Sequence, residues 1–312
     1  PHSTHCLLSP GHHQELGTVV SHMGPTTAIS RTVVLNNGVS LPRIGLGTYQ
    51  AQGDDVVKAV KAALQAGLRH IDTAVVYRNE EQVAQGIRES GVPRSEVFVT
   101  SKIAPFQQGT SGAQQACKEI TQRLGGFPDM LLIHWPAARG QGVTSPMNAE
   151  LRLETWRVLE DELKNGHVRA IGVSNYEIHH LQELLQHAVV KPAVNQVELH
   201  PRRINTELRD FCAKHAIVIE AYSPLGRGEL ISHPVVHSLA QQLGKSAAQV
   251  LLRWSLQHGL VVLPKSISPA RIVEWSDEQL MSAEWGLGVA QMSALDALDD
   301  GWKYCWDPKD VV

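Results

Sequence analysis

No stretch of the 312-residue chain comes close to the roughly 20 consecutive apolar residues that a membrane-spanning helix needs. An excess of positive charge is missing too. Against 31 aspartates and glutamates stand 28 lysines and arginines, for a net charge of −3, which offers neither a nucleic-acid footprint nor a polybasic membrane patch. Cysteine is sparse: the four present, Cys6, Cys117, Cys212 and Cys305, form no CxxC pair. A chain of this length needs no disulfide staples, so a reducing, cytoplasmic setting is expected, with no membrane and no nucleic acid as partner. What is there is apolar side chain enough, 43% against 19% charged, to bury one large core or two ordinary ones.

Residues 1–30 stand apart. They hold a single charged side chain, Glu15, and five histidines at positions 2, 5, 12, 13 and 22. The longest apolar run there, Cys6-Leu7-Leu8, is too short for a signal-peptide core, and no arginine supports a transit peptide. Without helical or strand periodicity, the segment reads as a disordered extension rather than a metal-binding tract. The folded domain is expected over residues 31–312.

From there the pattern is regular. Two short apolar runs around Asn36-Asn37-Gly38 read as a β-hairpin, with the Asn-Gly pair supplying positive φ angles. Eight apolar runs follow, at 44–48, 68–73, 97–102, 130–134, 168–174, 193–198, 217–222 and 260–264. Between them lie amphipathic stretches such as 54–66, 80–90, 151–164, 178–187 and 206–215. Strands apolar on both faces, alternating with helices eight times, predict a closed (β/α)8 TIM barrel of the α/β class, with the hairpin capping its bottom. An open doubly wound sheet is the alternative. Its phosphate loop is incomplete, because Gln50 stands where Gly45-Leu46-Gly47 would need a third glycine.

Most of these runs end in polar residues, among them Asp72, Lys102, His134, Ser174-Asn175, Gln196, Tyr222-Ser223 and Lys265-Ser266. Strand carboxyl ends converge on one barrel face, where chemistry is built, so Asp72, Lys102 and His134 are expected to meet. Tyr77 lies five residues after Asp72, in a loop able to fold over the barrel mouth. A phenol is a reluctant acid; a neighbouring ammonium eases release of its proton, a carboxylate fixes the ammonium, and a neutral histidine orients an oxygen. Such a set protonates an oxygen while something else supplies a hydride.

The stretch Gly67-Leu68-Arg69-His70-Ile71-Asp72-Thr73-Ala74, followed by Tyr77 and Asn79-Glu80, resembles the first signature of the aldo-keto reductases. Thr100-Ser101-Lys102, Leu132-Ile133-His134-Trp135-Pro136 and Gly172-Val173-Ser174-Asn175 are similar to later family motifs, as are Asn195-Gln196-Val197-Glu198, Tyr222-Ser223-Pro224-Leu225-Gly226 and Pro264-Lys265-Ser266. Within the family, the run 172–180 and the tail 304–307 look most like the prostaglandin F synthase and aldose reductase-type branch. The resemblance implies NADPH-dependent reduction of a small-molecule carbonyl by a monomeric enzyme. Tyr77 would be the general acid, helped by Lys102 and Asp72, and His134 would orient the carbonyl. The cofactor would be held by Thr48, Ser174, Asn175, Gln196, Tyr222, Ser223 and Leu225, with Lys265, Ser266, Arg271 and Glu274 at the adenosine end. Tyr49, Ala104, Trp135 and Trp302 would line the substrate pocket, with Tyr304 and Trp306 of the C-terminal tail beside Trp302 at its mouth. No metal is implied.

Two departures stand out. The family usually follows its catalytic lysine with Leu-Trp, whereas Lys102 is followed by Ile103-Ala104-Pro105, which predicts a wider pocket. The family's Glu-Asn pair is Glu274-Trp275, so the adenine-contacting asparagine is missing; Trp275 is expected to pack in the core of a lengthened helix, with stacking on the adenine as the alternative. Three other readings carry less. His233 and His237 have the spacing of a metal pair without a third ligand, and Glu198 as a second carboxylate beside Asp72 would suit a barrel glycosidase. A cofactor-binding regulatory subunit with little turnover shares the fold; the intact set Asp72, Tyr77, Lys102 and His134 favours an active enzyme.

Overall fold

The structure, a computed structural model, describes residues 28–312. The expected extension therefore lies outside the described residues up to position 27. Ile29 belongs to the body of the protein, since its N–H bonds to the Met281 carbonyl and its side chain packs on the core.

Strands β1 (Thr32–Val34) and β2 (Ser40–Pro42) form the antiparallel hairpin, with Thr32 opposite Pro42. Its turn differs from the expected tight one. Gly38 alone is left-handed, at φ 85°, and the bonds Gly38 N–H to Leu35 O and Leu35 N–H to Val39 O enclose a three-residue loop. The asparagines are used elsewhere. Asn36 Nδ2 donates to Pro192 O and Asn37 Nδ2 to Arg169 O, both at 2.9 Å, just before two barrel strands begin. Leu35 and Leu41 pack on Phe98, Met130, Leu132 and Val194. Burial of such a leucine is worth roughly 1.5–3 kcal/mol. The hairpin thus closes the barrel bottom.

The barrel strands are β3 (Gly45–Gly47), β4 (His70–Asp72), β5 (Phe98–Ile103), β6 (Met130–Ile133), β7 (Ala170–Ser174), β8 (Val194–Glu198), β9 (Val218–Tyr222) and β10 (Val261–Leu263). All are parallel and sequential neighbours pair throughout. The Ile44–Val262 bridge and the bonds Val262 N–H to Arg43 O and Gly47 N–H to Pro264 O join the last strand to the first. Gly45 is required at this seam: a Cβ there would lie 2.6 Å from Leu263 Cδ2.

Helices α1 (Asp54–Gln65), α2 (Glu80–Ser90), α3 (Thr110–Leu124), α4 (Met147–Lys164), α5 (Ile178–His187) and α6 (Thr206–Lys214) form the outer layer between successive strands up to β9. Their apolar residues recur at helical spacing; in α1, Val56, Val60, Ala63 and Leu64 are buried. Two helices, α7 (Pro234–Leu243) and α8 (Ala247–Gln257), separate β9 from β10. After β10 come α9 (Pro269–Val273), α10 (Asp277–Met281) and α11 (Val289–Asp296). Asp296 of α11 accepts from Trp254 Nε1 at 2.7 Å and lies 2.9 Å from His258 Nε2, which ties it to α8. The expected lengthened helix after Glu274 is instead two short ones. Trp275 nonetheless packs in the core as expected, 2% exposed. No helix among the described residues is long and apolar enough to cross a membrane.

Candidate active site

With the bottom plugged, the strand carboxyl ends open onto one cleft of about 1150 Å³. Lys102, in β5, is wholly buried beneath it. Its Nζ donates to both Asp72 oxygens, at 2.6 and 2.8 Å, to Thr73 O at 2.9 Å and to Tyr77 OH at 3.4 Å. Tyr77 arrives on a 3-10 turn, Val75–Tyr77, that ends at left-handed Arg78. Asn79 braces that turn: its Oδ1 accepts from Thr73 Oγ1, and its Nδ2 donates to Thr48 O and Ala51 O. His134 follows β6 and meets the Tyr77 ring edge-on, centroids 5.6 Å apart.

Burial would lower the Lys102 ammonium, but Asp72 and Tyr77 hold it above its ordinary value, so it stays charged. Burial pushes the Tyr77 phenol up to about 12, with Lys102 opposing. The ammonium pulls the phenol down, in the expected direction, but burial outweighs it. The tyrosine remains protonated at neutral pH, as a proton donor must. Burial, then Lys102, drives His134 well below the usual imidazole range, leaving it neutral.

Ser174, Asn175, Gln196 and Tyr222 also line the cleft, and they form one network in which Ser174 Oγ donates to Gln196 O at 2.8 Å. Tyr222 OH donates to Asn175 Oδ1 at 2.7 Å, and Asn175 Nδ2 donates to His134 O and Ser174 Oγ. Gln196 Nε2 donates to Asp72 Oδ2 and Glu220 Oε2, both at 2.9 Å. Ser223 and Leu225 lie along one wall, and Lys265, Ser266, Arg271 and Glu274 line the same cleft. Tyr49, Trp135 and Trp306 stand with Tyr77 and His134; the Trp135 and Trp306 rings meet at 4.8 Å.

Three expected residues lie elsewhere. Thr48 is buried behind the wall, its hydroxyl donating to Asp72 O. Ala104 is completely buried, its N–H bonded to Gln107 Oε1, so the small side chain opens no space onto the cleft. Trp302 is half exposed beyond the lining, against the Arg202 guanidinium. Conversely Tyr304 and Trp306 of the tail line the cleft, as do Cys305 and Arg227, which carry no motif of their own. Glu198 does not pair with Asp72. It accepts the N–H groups of Tyr304 and Cys305 at 2.6 and 3.2 Å and lies 3.2 Å from His200 Nε2. His233 caps α7 through Nδ1, and no group of three metal-ligating side chains occurs among the described residues.

A nicotinamide dinucleotide fits these walls. Lys265, Arg271 and Arg227 offer cations, the Tyr222 ring a flat face, and the buried Trp275 Nε1 has no partner. The family model described as aldo/keto reductase family matches residues 43–299. A glyoxal reductase of Bacillus subtilis is 44% identical over 92% of this chain and 99% of its own. A 9,11-endoperoxide prostaglandin H2 reductase of Trypanosoma cruzi is 42% identical over 88% and 94%. The crystal structure of an aldo-keto reductase from a deep-sea metagenome library superposes with a TM-score of 0.81 at 37% identity, covering 90% of this chain and 99% of that one. The chain belongs to the aldo/keto reductase family and is an NAD(P)H-dependent oxidoreductase.

Proposed function

We propose that the enzyme reduces aldehydes and ketones to alcohols with NADPH, Tyr77 giving the proton. The observation that carries this reading is the buried Lys102 ammonium, shared between Asp72 and the hydroxyl of a Tyr77 that opens onto the cleft. The bound cofactor supplies a hydride to the carbonyl carbon. The neutral His134 imidazole donates a hydrogen bond to the carbonyl oxygen and fixes its direction. Tyr77 passes its proton to that oxygen as charge builds there, Lys102 stabilises the phenolate left behind, and solvent returns the proton. Tyr49, Trp135 and Trp306 give the mouth of the cleft an aromatic lining against which a carbonyl substrate can pack. Lys265, Ser266 and Arg271 suit an adenosine 2′-phosphate, since an ammonium and a planar guanidinium match a phosphate dianion. That chemistry favours NADPH over NADH.

A glyoxal reductase and an endoperoxide prostaglandin reductase among similar proteins support small dicarbonyls and prostaglandin-like substrates as the first compounds to assay. The test is NADPH consumption over an aldehyde, dicarbonyl and quinone panel, wild type beside Tyr77→Phe. General acid catalysis contributes about 10²–10⁴-fold, so kcat should fall by that factor while NADPH affinity is retained. Wild-type binding of NADPH without turnover of any carbonyl would instead favour a regulatory role.

A further inference from the structure

One buried ionisable group has no part in the reaction above. Glu220, in β9, is wholly inaccessible, and its Oε2 accepts from Gln196 Nε2. The same nitrogen donates to Asp72 Oδ2. An amide nitrogen carries two protons and the amide oxygen none, so the Asp72 carboxylate and the Glu220 Oε2 acceptor are both served only with Nε2 on their side. Turned over, the amide would set its oxygen against Asp72, already paired with Lys102, and against Glu220. The Gln196 oxygen therefore faces the cleft, as a free acceptor where a nicotinamide carboxamide would lie.

The other oxygen, Glu220 Oε1, is buried without a hydrogen-bond partner. His70 Nε2 lies 4.0 Å away but is engaged with Thr100 Oγ1 at 3.0 Å, and burial holds the His70 ring down to about 4, so it brings no positive charge. The charged groups facing Glu220 from β4 and β5 are Asp72 and Lys102. β8 presents Gln196 here, and β10, the other neighbour, is Val261-Val262-Leu263. A carboxyl with one bare oxygen adds nothing to stability that an apolar side chain would not exceed. Its geometry is that of a clamp.

We propose that Glu220 is a positioning residue, which locks the Gln196 amide with its oxygen toward the nicotinamide and sets the charge around the Asp72–Lys102 pair through one proton on Oε1. The proposal rests on the NADPH reading. Burial, then Asp72, pushes the Glu220 carboxyl up to about 8, while Gln196 and Lys102 oppose. Glu220 is thus protonated at neutral pH and ionises in mild alkali. Its negative charge then competes for Lys102, weakens the hold of the ammonium on the Tyr77 phenolate, and slows proton delivery.

Two variants and two ligands test this. NADPH carries the nicotinamide and 2′,5′-ADP does not, so their affinities separate the amide lock from the rest of the cleft. E220L removes one of the two acceptors of Gln196 Nε2 and leaves Asp72 Oδ2 as the other; one amide proton left unpaired costs about tenfold in NADPH affinity, with 2′,5′-ADP affinity unchanged. E220Q retains an acceptor but cannot titrate. It should hold NADPH within about threefold, and the decline in reductive kcat/KM expected of the wild type near pH 8 should move to higher pH. E220L binding NADPH as tightly as wild type overturns the lock, and an E220Q profile declining at the wild-type pH overturns the charge role. Where E220L loses both ligands through misfolding, E220Q alone decides. A wild type that binds 2′,5′-ADP but gains nothing from the nicotinamide overturns the proposal while leaving the 2′-phosphate site standing; one that binds neither ligand overturns the NADPH reading as well.

Discussion

Lys102 and Asp72 should behave as one unit whose halves cannot be removed separately without loss of stability. At the 2.6 Å contact, an effective dielectric near 20 gives about 6 kcal/mol of gross attraction, before the cost of taking both charges out of water. The pair as a whole contributes little. Half of it is expensive: Lys102→Met leaves a buried carboxylate with Gln196 as its remaining side-chain donor, and Asp72→Asn leaves a buried ammonium facing a neutral amide. Breaking a buried pair from one side costs about 3–5 kcal/mol, a large part of the roughly 5–15 kcal/mol that holds a protein folded. The double variant removes both charges and should cost less than the sum by at least about 2 kcal/mol. Urea unfolding of the four proteins, with the cofactor absent, measures each corner. In thermal scans each single variant should fall by roughly 6–10 °C, at about 2 °C per kcal/mol for a chain of this size. Costs that add within about 0.5 kcal/mol would mean that the two groups do not share their charge, and would refute the reading of Lys102 as an ammonium tied to Asp72.

Arg271→Ala should weaken NADPH binding by about 10–100-fold, the worth of one charge-assisted bond to the 2′-phosphate, and leave NADH binding unchanged; competitive titration with the two cofactors checks it. Glu198→Ala should leave the Tyr304 and Cys305 N–H groups without an acceptor, at about 1–3 kcal/mol each, and speed their hydrogen exchange. Burial would raise the Glu198 carboxyl, but His200 and the two N–H donors bring it below its ordinary value of 4.5. The anchor is therefore complete above that value and is lost as pH falls through the lower folded one, so wild-type exchange at Tyr304 should rise in acid while the alanine variant stays fast throughout.

The barrel was legible because its signal is periodic and local. The runs at 97–102 and 168–174 end on the residues that close β5 and β7 or one short of them, and the stretches 80–90 and 178–187 coincide with α2 and α5. Asp72, Lys102 and His134 could be placed at one level because each interrupts an apolar run, and a barrel brings all strand ends to one face. Tyr77 has no such local signal. Its position depends on Asn79 tying Thr73, Thr48 and Ala51 together, three contacts that leave no mark in the pattern around it.

What escaped was whatever depends on which side chains meet across the barrel or behind a loop. Ala104 was placed at the pocket because it replaces a tryptophan, yet a substitution in a motif does not say what fills the space, and here the Pro105–Gln107 turn covers it. Trp302 and Trp306 are four residues apart in one aromatic tail and about equally exposed, but Glu198 holds the backbone between them at Tyr304 and Cys305, and Trp306 lines the cleft while Trp302 does not. Glu220 carries the same lesson for charge. In the run Val218-Ile219-Glu220-Ala221-Tyr222 it reads as one polar residue inside a buried strand, with nothing beside it to suggest a role. Its partner, Gln196, is one strand away, and the Asp72 and Lys102 that decide its proton come from β4 and β5, on the other side of the barrel. Residues 24 and more positions apart share one amide nitrogen. Closing the sheet converts that separation into contact, and the chemistry of the centre is set by charges that meet only then.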